Sequence, residues 1–257
     1  MKKQFFYLLF ALALGGCSSN EVCFDTDAFT LELDSRGKIT GLINKQSGFN
    51  YTPKEEESYL LKLRIDTTFY EPQSLEWDEK NKALKLIYPD CDALVDLQVA
   101  VKDKYLTFEI SDYTSVHPVD VAVWGPYATS IKKTVGECVG VVRDSLYAIG
   151  IQALNAKTLG GFPTEESDVD PAYDIFATTS LVDIDKNVKV LYRGQTAFPK
   201  EYGSVIQAYC RDRSKDRVIP NWNHTHYMAP AYNDGGIKGS KIALFGCPEK
   251  EALDYIE

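Results

Sequence analysis

The sequence predicts an all-β protein, an antiparallel β-sandwich. Three observations lead there. Apolar and polar residues alternate with period two along much of the chain, turn residues recur at short intervals, and helical periodicity is nearly absent. Alternation of this kind turns one face of a strand to a core and the other to water. Many short strands separated by turn signals point to a sandwich or barrel.

Taken in order, Phe29 to Asp34 alternates and turns at Ser35-Arg36-Gly37-Lys38. Ile39 to Ile43 returns, with another turn at Gln46-Ser47-Gly48. Tyr59 to Ile65 is a further strand. Leu75 to Trp77 and Ala83 to Tyr88 form a hairpin around residues 78–82. Val95, Leu97, Val99 and Val101 alternate with Asp96, Gln98, Ala100 and Lys102, and Tyr105 to Ile110 comes back as the partner. More strands are expected at Val119–Trp124, Glu137–Arg143, Tyr147–Ala153, Lys189–Tyr192 and Lys241–Phe245. Gly125-Pro126 should end the strand before it. Leu159 to Tyr173, rich in Gly, Pro and acidic residues, reads as a long surface loop, either framing a binding site or without a role.

The two ends differ from the middle. Met1-Lys2-Lys3 precedes an apolar run from Phe5 to Leu14, then Leu14-Gly15-Gly16-Cys17. A basic start, a short apolar stretch and small residues make a secretory signal. The stretch is shorter than the roughly 20 apolar residues a membrane span needs. Residues 1–16 are therefore read as a signal peptide, 17–26 as a polar tether and 27–246 as the sandwich. Cys247 to Glu257 reads as the first turns of a helical linker, with Pro248 near its start and acidic residues early. The expectation is that it leads into a further domain missing from this chain.

The formal charge of −9 becomes more negative once Lys2 and Lys3 are removed. An acidic, well-mixed surface argues against nucleic acid, which requires basic patches. Apart from Cys17, the cysteines are Cys23, Cys91, Cys138, Cys210 and Cys247, at spacings that fit no zinc or redox motif. An odd number cannot all pair within one chain. Cys138 and Cys247 sit in apolar, Gly-flanked runs and read as core residues. No Gly-x-Ser-x-Gly elbow, phosphate loop or dinucleotide fingerprint is present.

Leu14-Gly-Gly-Cys17 resembles the lipobox of bacterial lipoproteins. That resemblance implies a lipid on the Cys17 thiol, a mature chain starting there, and a location on the cell envelope without a transmembrane helix. Three more segments carry a second resemblance: Gly41 to Tyr51, Val123-Trp-Gly-Pro-Tyr127, and Gly150 to Gly161. They are similar to the N-terminal sandwich modules of large exported glycan-degrading enzymes of Bacteroidetes-type bacteria. In those enzymes the sandwich is a galactose-mutarotase-like supersandwich that precedes a (β/α)₈ catalytic barrel. The first segment looks like their opening hairpin, an Asn-x-x-Ser-Gly turn followed by an aromatic residue and a proline. This chain departs from the pattern in having no barrel, so no catalytic acid is carried over.

Several residues are candidates for chemistry. Asn221-Trp222-Asn223-His224-Thr225-His226-Tyr227 puts two imidazoles on one face if extended, which suits a metal only with a third ligand. The same stretch suits a sugar: Trp222 and Tyr227 offer stacking faces, and His224 and His226 offer hydrogen bonds. A polar interdomain loop is the plainer alternative. Trp124 and Tyr127 come near a sheet rim, as a sugar platform or as core packing. Gln152, Asn155 and Lys157 suit contact with carbohydrate or with a neighbouring domain. Glu165, Glu166, Asp168, Asp170 and Asp174 are abundant carboxylates, but glycosidases need a pair at a set separation, and acidic runs are more often solvated faces.

The function expected is the non-catalytic N-terminal β-sandwich of a glycoside hydrolase, supporting or contacting its catalytic cleft. A free-standing surface lipoprotein that binds glycans is the alternative. A polysaccharide lyase or epimerase, drawing on Tyr227 and His224, is a weaker one. Carbohydrate, a C-terminal catalytic domain and the lipid anchor are the expected partners, and no cofactor or metal is expected.

Overall fold

The computed structural model describes residues 21–137, 140–161, 189–190, 196–221 and 224–257. Glu137 and residues 189–190, 217–221 and 224–229 are described by their backbone alone. Among the described residues twenty strands follow one another: β1 (Val22–Asp25), β2 (Phe29–Leu33), β3 (Ile39–Asn44), β4 (Lys62–Ile65), β5 (Thr68–Tyr70), β6 (Ser74–Asp78) and β7 (Ala83–Tyr88). Then come β8 (Ala93–Val101), β9 (Leu106–Ser115), β10 (Val121–Thr129), β11 (Thr134–Glu137), β12 (Val141–Arg143), β13 (Tyr147–Ala153) and β14 (Leu159–Gly160). The last are β15 (Lys189–Val190), β16 (Ala197–Lys200), β17 (Gly203–Arg211), β18 (Arg217–Asn221), β19 (His224–Ala229) and β20 (Lys241–Pro248).

A nine-stranded sheet runs β15-β11-β12-β13-β20-β9-β8-β7-β6. A second runs β14-β17-β10-β4-β5, with β16 also on β17. Strands β1-β2-β3 make a small third sheet, and β18-β19 a separate hairpin. Among the described residues pairing is antiparallel except between β11 and β15. The sheets pack as a sandwich, and the fold is all-β as expected. Its main core takes Leu31 and Leu33 from β2, Leu97 and Val99 from β8, Trp124 and Tyr127 from β10, Ile206 and Ala208 from β17, and Leu244 from β20. Each such leucine, isoleucine or valine side chain, fully buried, contributes about 1.5–3 kcal/mol.

Periodicity located the strands with one wet face. In β8, Val95, Leu97 and Val99 are buried while Leu94 and Gln98 are exposed. The alternation stops at Val101, which is exposed. Strand β17 escaped this reading because all nine of its residues are buried. Ile206, Ala208 and Cys210 enter the main core. On the other face Tyr209 packs with Val121 and Val123, and Val205 with Ala128 and Phe198. A strand covered on both sides has no polar face to mark it.

Four expectations are corrected. Val22–Asp25, read as tether, pairs along its length with Asp25↔Thr30 to Val22↔Leu33. Phe24 explains this, being buried edge-on against Trp77 and Phe108. Gly125-Pro126 does not end its strand. A bulge between Trp124 and Tyr127 absorbs the cis Gly125–Pro126 pair, and β10 resumes with Tyr127↔Ile206. A bulge tolerates a residue without an N–H. Glu137 ends β11 and Val141–Arg143 is the separate strand β12, paired antiparallel to it with Val135↔Val142. At the C-terminus, β20 extends through Pro248, and the expected helix start is a 3₁₀ turn at Glu249–Glu251 followed by turns. Ala252 packs there on Phe245 and Cys247.

The three segments that carry the family resemblance all lie at packing points. In the first, Asn44 Oδ1 accepts from Gln46 N at 2.9 Å, Gly48 has φ +72°, and Tyr51 stacks on Tyr147 with ring centroids 5.3 Å apart. The second is the β10 bulge. The third is β13, which pairs with β20 from Tyr147↔Pro248 to Ala153↔Ile242 and then turns into β14.

Candidate functional site

At one rim of the sandwich, three loops meet. One follows β17 (Asp212–Asp216), one precedes β20 (Pro230–Ser240), and one links β13 to β14 (Leu154–Thr158). Backbone bonds tie the first two: Arg213 N donates to Gly235 O at 2.6 Å, and Tyr232 N donates to Arg213 O at 3.2 Å. The hairpin β18–β19 rises between them, with Arg217↔Ala229 at its base. Pro230-Ala-Tyr-Asn-Asp-Gly-Gly236 is a turn sequence by composition, which is the signal that could have located this rim.

The third loop is fixed from below. Asn155 Nδ2 donates to Gly239 O at 2.6 Å, and Asn155 Oδ1 accepts from Thr158 N and Thr158 Oγ1. Thr158 Oγ1 lies 3.0 Å from Ser240 Oγ, which accepts from the indole of Trp124. Lys157 lays its side chain, only 9% exposed, under the neighbouring loop. Its ammonium donates to Asp234 Oδ1 at 3.0 Å, to Gly236 O at 3.0 Å and to the carbonyl of Lys238. Three donors on three acceptors use the whole capacity of a lysine.

These residues enclose a pocket of about 510 Å³ lined by Asn155, Ala156, Lys157, Tyr232, Asp234 and Gly239. Tyr232 is 46% exposed and Asp234 almost fully so. The polar atoms of Asn155 and Lys157 are occupied within the protein. What remains for a ligand is the ring and hydroxyl of Tyr232 and the open acceptor sites of Asp234. Tyr232 and Asp234 are candidate site residues that sequence reasoning missed.

Across the Asp212–Asp216 loop lies a second, more charged pocket of about 330 Å³, lined by Arg64, Pro118, Asp120, Arg211, Asp212, Lys215 and Asp216. A third, of about 410 Å³, lies by the edge strand β5, beside Phe69, Tyr70, Glu71 and Asp90.

The remaining sequence candidates fall as follows. Trp124 and Tyr127 are fully buried, so the exposed sugar platform expected there is not formed. Tyr127 donates to Leu60 O at 2.7 Å. Gln152 lies in β13 opposite Ala243, with its Nε2 buried and without a hydrogen-bond partner. His224, His226 and Tyr227 lie on the extended backbone of β19. Trp222, Cys17, Cys138 and the carboxylates Glu165, Glu166, Asp168, Asp170 and Asp174 lie outside the described residues. Cys23 is disulfide-bonded, whereas Cys91, Cys210 and Cys247 are buried thiols outside any disulfide. Among the described residues, no group of three or more His, Cys, Asp and Glu side chains could hold a metal ion, and no helix is long and apolar enough to cross a membrane.

No protein-family model matches the chain, and no curated protein matches it.

Proposed function

We propose that this chain is a glycan-contacting β-sandwich of an exported, lipid-anchored, carbohydrate-active protein, and that it acts without catalysing a reaction itself. One observation carries the reading. Tyr232 stands half-exposed over a pocket whose rim carboxylate, Asp234, is oriented by the buried Lys157. An aromatic face suits the apolar face of a sugar ring, and a carboxylate accepts from its hydroxyls. The likeness of Gly41–Tyr51, Val123–Tyr127 and Gly150–Gly161 to the supersandwich modules of glycoside hydrolases supports the same reading. On it, Cys17 carries the lipid and the module supports or contacts the cleft of a catalytic domain.

Affinity electrophoresis of the mature chain, from Cys17 onward, through gels containing polysaccharides tests it. Retardation is expected with at least one polysaccharide. Tyr232→Ala should weaken it about tenfold, equivalent to about 1.4 kcal/mol. Retardation unchanged by Tyr232→Ala and by Asp234→Asn would sink the reading.

A further inference from the structure

The pocket at strand β5 brings together an exposed aromatic ring and polar groups with unused bonding capacity. Among the described residues β5 ends its sheet, and its outer side has no strand neighbour. Phe69, in the middle of this three-residue strand, is 56% exposed. Among the described residues its ring stacks on no other ring. A strand this short is a poor template for an added strand from another chain. What it offers is one open apolar face beside a polar hollow.

The polar groups of this hollow are held in place yet keep free donors and acceptors. Arg36 lies in the turn after β2, where Asp34 Oδ1 accepts from Arg36 N at 2.8 Å and from Lys38 N at 2.9 Å. Leu75 N donates to Ser35 O at 2.7 Å and Leu60 N to Gly37 O at 2.9 Å, which pins the turn on two sides. The Arg36 side chain is 49% exposed, with its guanidinium 5.9 Å from the centroid of the Tyr59 ring. Asp34 Oδ2 lies 3.6 Å from Arg36 Nε, an ion pair too long for a hydrogen bond. Among the described residues the guanidinium makes no hydrogen bond, so all its donors are open. Glu71 Oε1 accepts from the Lys62 ammonium, and Asp90 Oδ2 accepts from Gln73 Nε2. Each bond orients a carboxylate and leaves its second oxygen open.

We propose that this pocket is a second glycan site, which binds one neutral pyranose ring. The apolar face of the sugar lies on Phe69. Its hydroxyls donate to Glu71 and Asp90 and accept from Arg36. Two carboxylates with open oxygens face one guanidinium, so the lining that satisfies a neutral sugar repels an acidic one. The volume, about 410 Å³, lies toward the small end of the roughly 300–1,000 Å³ typical of ligand pockets. That size suits a single ring. The pocket shares no lining residue with the Tyr232 site. The choice of a sugar rests on the glycan reading above; the second site and its charge class go beyond it.

Titration of the mature chain with the methyl glycosides of D-glucose, D-galactose and D-mannose, and with D-glucuronate, followed by amide NMR shifts, tests the proposal. At least one neutral glycoside should shift the amides of Phe69, Glu71 and Gln73. It should bind at least about tenfold more tightly than glucuronate. Phe69→Ala should weaken it about tenfold. Arg36→Lys keeps the charge over Tyr59 but loses the planar fork, and should weaken it severalfold. Both positions are exposed, so the melting temperature should hold in each variant, which separates a lost contact from a lost fold. No binding of any of the three neutral glycosides, equal or tighter binding of glucuronate, or binding indifferent to Phe69→Ala overturns the proposal. Tyr232→Ala should leave this binding intact. If retardation in polysaccharide gels ignores Tyr232 while a glycoside still binds at Phe69, only the reading of the Tyr232 pocket fails. If Tyr232→Ala weakens retardation while no glycoside binds at Phe69, only the second site fails.

Discussion

The indole Nε1 of Trp124 donates to Ser240 Oγ at 2.9 Å, joining β10 to the loop before β20. Both residues are fully buried. From Ser240 the bonds continue through Thr158 to Asn155 at the surface. A residue that looked like a rim platform in the sequence is the buried end of a network that supports the rim.

Ser240→Ala should therefore destabilise the protein, because it leaves the Trp124 N–H buried without an acceptor. A cost of about 1–3 kcal/mol is expected, measured as a shift in the urea midpoint. Trp124→Ala should cost more, about 3–5 kcal/mol. Neither should act as a simple loss of a surface sugar contact.

Lys157→Met keeps the length of the side chain and removes its donors to Asp234, Gly236 and Lys238. The loop should open locally while the sheets remain. Hydrogen exchange at Gly235 and Ser240, whose amides bond within this loop, should accelerate. Exchange in β8 should not change, and acceleration there would mean global unfolding instead.

Gly150 faces Phe245 across the β13–β20 pair, and a methyl group there would overlap the phenyl ring. The ring is packed in its own core cluster with Val141 and Cys247. Gly150→Ala should cost about 1–3 kcal/mol as an overpacked site. Gly150→Ala combined with Phe245→Leu should recover part of that loss in the same unfolding assay.

The three buried thiols should be inert in the folded state. Burial, with Glu251 adding to it against an opposing Lys104, pushes the Cys247 thiol up to about 12. Burial, then Asp90 and Asp92, also raises Cys91. The thiolate is the reactive form. At pH 8 a thiol reagent should leave Cys91, Cys210 and Cys247 unmodified in the native protein and label them all in denaturant. Rapid native labelling of Cys247 would contradict its placement.

Glu32 offers a pH test. Burial first, then Glu21 and Asp25, raises its carboxyl above the ordinary 4.5. A raised acid is destabilising when ionised, so the penalty is complete above its folded value and vanishes as pH falls below the unfolded one. Glu32→Gln should raise the melting temperature at pH 7, and the gain should disappear in acid. Glu57, Asp78 and Asp112 are shifted the other way, held low chiefly by hydrogen bonds from Lys38, Asn81 and Lys238. Their contribution is present at neutral pH and is lost as pH falls toward their folded values.

The sequence by itself determined the all-β class and the half-exposed strands, because alternation in β2, β7 and β8 is written residue by residue. It also singled out Asn155 and Lys157, which line one rim pocket with their polar atoms bonded within the protein. Only the tertiary structure decided where those chemistries point. Trp124 and Tyr127 went inward because a bulge, which no local pattern announces, carries β10 through Gly125-Pro126. Strand β17 stayed hidden because burial on both faces erases the period-two signal. Tyr232 and Asp234 reached Lys157, and Arg64 reached the level of Arg211, across 75 or more residues of chain. Such meetings depend on strand register, which is set by long-range pairing and packing of whole sheets rather than by neighbouring residues.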